Sequence, residues 1–118
     1  NNITYKMCGV LNGNCYPTKR LQRFGYAELT ALCSNLLCDK GGKIIAHEFH
    51  YWDCTDCGNS FQAKRSRNRE DLCIHSTESL YAGFPHLYLY ADAEIAVRFI
   101  KKCMEYNKYE KNRQNFSS

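Results

Sequence analysis

The junction inside residues 80–103 constrains the fold most: an apolar, aromatic run broken at Gly83 and Pro85 passes straight into an amphipathic pattern. The first part has the alternation and β-favouring residues of a strand. Asp92 then stands at an N-cap position, with Glu94 in the first turn, where a carboxylate favours the positive end of a helix. Ile95, Phe99, Ile100, Cys103 and Met104 recur at helical spacing and predict one apolar face. Lys101, Lys102 and Lys108 crowd its C-terminal end, as the dipole prefers. One histidine, His86, sits where the Gly83–Pro85 punctuation ends and the strand resumes, a setting in which titratable groups are often held.

Upstream, residues 5–11 read as a short strand ended by Asn12, Gly13 and Asn14. Residues 18–30 carry Lys19, Arg20 and Arg23 and then alternate as a second strand, with Gly25 marking a bulge or close backbone approach. Residues 31–40 continue this strand or form a loop before Gly41 and Gly42. Residues 43–53 are β-branched and aromatic and predict a strand. Residues 54–60 read as a loop, 61–64 as a brief strand, and the charged run 64–71 as a hairpin tip. Residues 72–90 supply strand segments on either side of the Gly83–Pro85 break, and residues 109–118 read as a polar, fraying tail. The fold class is therefore α+β: a mainly antiparallel sheet with one C-terminal helix.

With 118 residues, 44% hydrophobic and 24% charged, the chain is one domain or part of one. A net charge of +4 is too mild and scattered for a nucleic-acid face, and no run is long enough to cross a membrane. The opening Asn-Asn-Ile-Thr-Tyr-Lys leads at once into an apolar strand, as expected of a segment that starts within a domain. Eight cysteines admit two readings, a disulfide framework or small buried thiols, and the reduced state is the expectation.

His47, His50, Cys54 and Cys57 have the spacing of a zinc site. On a strand, however, residues three apart face opposite sides, so His47 and His50 cannot share an ion and no metal is assigned. Glu48 and His50 project together, and could converge with His86 if their strands are neighbours, forming an acid–base group. None of the cysteines sits at a helix N-terminus or on a strand-to-helix elbow, where a nucleophilic thiolate is stabilised. Met7-Cys8-Gly9 comes nearest, but Val10 and Leu11 continue a strand. A base here would need a nucleophile from elsewhere.

Two separated stretches carry a family resemblance. Ala46-His47-Glu48-Phe49-His50-Tyr51 resembles the H-E-F-H-Y/F signature of cobyrinic acid a,c-diamide synthases, and Gly83-Phe84-Pro85-His86-Leu87-Tyr88 resembles the segment around their catalytic histidine. Gly9-Val10-Leu11 and Arg23-Phe24-Gly25-Tyr26 are similar to the strand and G-Y segment that precede the H-E-F-H motif, so the likeness runs in order from Met7 to Cys103.

The resemblance implies that residues 1–108 are the C-terminal portion of an α/β class I glutamine amidotransferase-like domain, with 109–118 as tail. It implies His86 as the catalytic base and His47, Glu48 and His50 as groups lining or supporting the site. The nucleophile-bearing half and an upstream synthetase domain that uses ATP and Mg2+ lie outside the sequence, so the segment alone is expected to be inert and to need no cofactor. Glutamine and a corrinoid are the implied substrates and the cytoplasm the implied location. Amidation of another tetrapyrrole such as nickel-sirohydrochlorin, or a small Cys-rich zinc- or disulfide-stapled binding module, are the alternatives. An exposed sheet edge would also admit a second copy of the chain. Many related amidotransferases place a glutamate two residues after the histidine, where this chain has Tyr88. A Cys–His dyad follows, or a third partner elsewhere, for which Glu48 is the candidate.

Overall fold

Period-two burial along two neighbouring strands builds the centre of the molecule, whose residues 3–117 are described by a computed structural model. In chain order the strands are β1 (Cys15–Pro17), β2 (Arg23–Ala31), β3 (Lys43–His50), β4 (Trp52–Cys54) and β5 (Phe61–Arg65). They are followed by β6 (Glu70–Cys73), β7 (His75–Ser76), β8 (Tyr81–Ala82), β9 (His86–Leu87) and the helix α1 (Ala93–Phe116). The main sheet has the order β6-β5-β2-β3-β9, and each of its pairings is antiparallel. This is the α+β arrangement that the sequence predicts.

Ala27, Leu29 and Ala31 of β2, Ile44 and Ala46 of β3, and Phe61 and Ala63 of β5 share the buried face. Leu36, Leu37, Cys73, Ile74 and Ile95 close over it. The opposite face carries Phe24, Tyr26, His47 and Phe49, whose rings meet edge to face at 5.2–5.8 Å; the three large aromatics are exposed and His47 is half-buried among them. Alternation thus gives the sheet one aliphatic core face and one aromatic outward face.

Several expectations are corrected. Residues 5–11 are exposed and irregular, because no strand lies beside them to pair with. Residues 31–40 turn rather than extend: Asn35 is fully buried and its Oδ1 accepts from the Leu37 amide at 2.9 Å, so the side chain closes the turn. Residues 43–53 form two strands, since the chain leaves the main sheet after His50 and β4 pairs with β1 instead.

The Asp92 cap holds, its Oδ1 accepting from the Glu94 amide at 3.0 Å, but the expected apolar helix face does not. Ile95 is buried while Phe99, Ile100 and Met104 stand about half exposed. Polar fasteners dock the helix instead. Arg98 donates from Nε and Nη2 to the Asn35 carbonyl at 3.2 and 3.0 Å and from Nη1 to Asp39 at 2.9 Å, and Lys102 meets Glu78 at 2.5 Å. The helix also runs on to Phe116, through most of the residues expected to be a frayed tail.

Candidate functional site

His86 lies on β9, an edge strand whose register sets it directly opposite His47, with Leu87 opposite Ala46. Ala46 is buried and Leu87 packs on the core, so His86 and His47 project together on the outward face. The His47 ring is gripped edge to face by Phe24 at 5.8 Å and Tyr26 at 5.2 Å. His86 itself is exposed.

Glu48 and His50 belong to the other face, as their even spacing along β3 requires. The expected convergence of His86 with Glu48 and His50 therefore does not occur: the thickness of the sheet separates them, and His47 is the cross-strand neighbour of His86. Nor does Glu48 reach His86 as a third partner, because its carboxylate is engaged by Arg65 beneath the sheet.

That engagement is a buried charge network that sequence reasoning missed. Glu48, 1% exposed, accepts from Arg65 Nη1 at 2.6 Å. Arg65 Nε then reaches Asp71 at 2.6 Å, and Asp71 is shared with Arg23 at 2.5 Å. Four strands deliver these groups to one end of the core face. Burial alone would lower the Arg65 guanidinium, but the Asp71 and Glu48 carboxylates outweigh it and push it up, fixing the charged form. The available signal was alternation: Phe61, Ala63 and Arg65 share a face, so Arg65 had to point inward from what reads as a solvated hairpin.

His50 sits beside this network. Its Nδ1 donates to the Trp52 carbonyl at 2.7 Å, while the buried Nε2 faces Glu48 Oε2 at 3.7 Å. The Phe84 ring lies flat against it, centroids 4.1 Å apart and planes within 9°.

The zinc-like spacing does not assemble, since His47 and His50 occupy opposite faces and Cys54 is bonded to Cys15. That disulfide corrects the expectation of wholly reduced cysteines; β1 and β4 set the two residues opposite each other. The other six cysteines are free thiols. Burial, with Asp71 and Glu48 nearby, pushes the Cys73 thiol up to about 12. Cys57 is raised by burial and by its contact with Asp53. Neither is a poised nucleophile. Among the described residues no group of three or more His, Cys, Asp or Glu is placed to hold a metal ion, and no helix is long and apolar enough to cross a membrane.

The sequence likeness of the chain lies among amide-forming synthases. It is 34% identical over 107 residues to the cobyrinate a,c-diamide synthase of Caldanaerobacter subterraneus subsp. tengcongensis, covering 88% of this chain and 24% of that protein. Against the enzyme of the same name from Picrophilus torridus it is 30% identical over 99 residues, 84% of this chain and 21% of the relative. The Archaeoglobus fulgidus cobyrinate a,c-diamide synthase is 29% identical over 108 residues, 86% of this chain and 23% of the relative. The chain is thus related to one segment of the cobyrinate a,c-diamide synthases, and spans about a quarter of their length. No family model matches it. No solved structure matches it either.

Proposed function

We propose that the chain supplies the catalytic-histidine segment of a glutamine-dependent cobyrinate a,c-diamide synthase, with His86 as the base. The observation that carries this reading is the placement of the motif histidine. His86 stands exposed on the outward face of an edge strand, open to a nucleophile brought by another part of the parent protein.

In the reaction, a cysteine outside this chain attacks the glutamine side-chain amide. His86 takes the thiol proton and passes it to the departing ammonia. It then activates the water that hydrolyses the glutamyl thioester. His47 lines the site beside it, while Glu48 and His50 support the strand from beneath. ATP and Mg2+ are the cofactors expected of the parent protein. These belong to the upstream synthetase domain, which activates the carboxylates of the corrinoid. No cofactor is therefore assigned to the segment, which is inert alone and works in the cytoplasm. Glutamine, the corrinoid and the synthetase domain are its partners, with neither nucleic acid nor membrane among them, and the β9 edge is open to a second copy of the chain.

The test is His86→Ala in the full-length parent. Glutamine hydrolysis should fall by at least about a hundredfold, the usual contribution of a general base, while amidation driven by added ammonia survives. Retained glutaminase activity would overturn the assignment.

A further inference from the structure

Resting on the reading of His86 as the base, we propose that His50 is a positioning residue for it, acting through Phe84 from the opposite face of the sheet. In an unbroken strand Phe84 and His86, two residues apart, would share a face. Instead Phe84 lies flat on His50 beside Glu48, while His86 projects outward with His47. The chain crosses over at Pro85, which is buried and whose carbonyl accepts from Tyr81 Oη at 3.1 Å.

The crossing needs an anchor because β9 has little of its own. It is two residues long, and the next backbone bond, from the Tyr88 amide to the Ile45 carbonyl, is stretched to 3.4 Å. So short an edge pairing is a weak hold. The position of His86 is therefore set by the side chains flanking it: Leu87 against the core, and Phe84 on His50.

Histidine suits the platform for a physical reason. A phenyl ring could stack equally well but would have nothing to fix its plane. The His50 ring is pinned by its Nδ1 bond to the Trp52 carbonyl and backed by Glu48, itself held by Arg65. Burying a polar ring is costly unless it is hydrogen-bonded, and that bond is also what orients it. The line from Arg65 through Glu48, His50 and Phe84 thus ends two residues from the catalytic group.

The experiment is amide hydrogen exchange on the 118-residue chain with His50→Ala, Phe84→Ala, the double variant, and His50→Phe, which keeps a stacking ring. Each alanine variant should speed exchange at His86 and Tyr88, the β9 amides that face β3, about two- to tenfold, the range for loss of one aromatic pair, with Leu29 and Ala63 unchanged. The double variant should add nothing to either single one, and His50→Phe should recover part of the protection. Unchanged exchange at residues 86 and 88, additive single effects, or uniform acceleration would each overturn the proposal. If His50→Ala does not fold, the comparison of His50→Phe with Phe84→Leu decides in the same way.

In the parent, His50→Ala should lower kcat for glutamine hydrolysis with KM unchanged, and His50→Phe should restore part of it. Should His86→Ala leave hydrolysis intact, the functional reading falls while the exchange result still judges the anchoring.

Discussion

Glu48 and Arg65 show how little a charged residue's identity says about where it sits. Glu48 is 1% exposed and Arg65 nearly as hidden, so removing either partner leaves a buried charge poorly compensated. Arg65→Ala strands the buried Glu48, while Asp71 keeps Arg23, and should cost about 4 kcal/mol in urea unfolding. Glu48→Ala should cost less, about 3 kcal/mol, because Arg65 keeps Asp71. The reverse order would mean that the charge network does not govern the stability of this end of the sheet.

Cys73 offers a second test at this scale. Its thiol is pushed from an ordinary 9.0 up to about 12 by burial and the neighbouring carboxylates. Below pH 9 both folded and unfolded chains hold the proton. Between 9 and 12 only the folded chain does, so stability should fall there by up to about 1.4 kcal/mol per pH unit. Thiol labelling at pH 8 should modify Cys8, Cys33 and Cys103 first and Cys73 only on unfolding; early modification of Cys73 would refute its burial.

Among the elements, the irregular turn at Ile74 holds the strands in phase. Ile74 has φ 70°, left-handed and unusual for a β-branched residue, and is fixed by bonds from its amide to Cys57 O at 2.6 Å and from the Ser60 amide to its carbonyl at 2.9 Å. Gly58, at φ 85°, lets the backbones meet: a Cβ there would fall 2.3 Å from the Ile74 carbonyl carbon. Gly58→Ala should therefore cost about 3 kcal/mol, since neither backbone can give. Gly83→Ala meets the Ile74 side chain most closely, at 2.9 Å, with the Ile74 Cα at 3.3 Å, and should cost about 1–2 kcal/mol. Thermal or urea unfolding ranks the two, and equal losses would contradict the packing. The same elements show what the sequence could reveal. Strands β2 and β3, the β5–β6 hairpin and the Asp92 cap are written in local pattern and were legible. So was the division of His47 from His50, which needs only the period of a strand. The crossing of Phe84 was hidden because Gly83 and Pro85 interrupt that period. The charge network was hidden because its members come from four strands that meet only once the register is set. The helix face was misread because its docking partner is the carbonyl of Asn35, which no apolar periodicity anticipates.

Across the whole molecule, the disulfide links parts that the core does not. The stretch before β2 touches the body along the strip 50–55: Thr18 and Gln22 amides donate to Tyr51 and His50 carbonyls, and Asn14 and Thr55 bond each other. Among the described residues none before Ala27 belongs to the core cluster, so the folded contacts near Cys15 are peripheral. The cross-link acts elsewhere. It joins positions 39 residues apart, and the closed loop contains both central strands, β2 and β3. In the unfolded chain that closure removes loop entropy worth up to about 4 kcal/mol, without any change in core packing. Reduction should therefore lower global stability by about 2–4 kcal/mol. In the native state, by contrast, it should loosen only the amides of Asn14, Thr18 and Thr55. Urea unfolding with and without reductant, paired with hydrogen exchange, separates the two effects, and Cys15→Ser/Cys54→Ser should reproduce both. A loss well under about 1 kcal/mol would show that the unfolded chain gains little from closure. Faster native-state exchange at Leu29 or Ala63 would show instead that the strip supports the core directly.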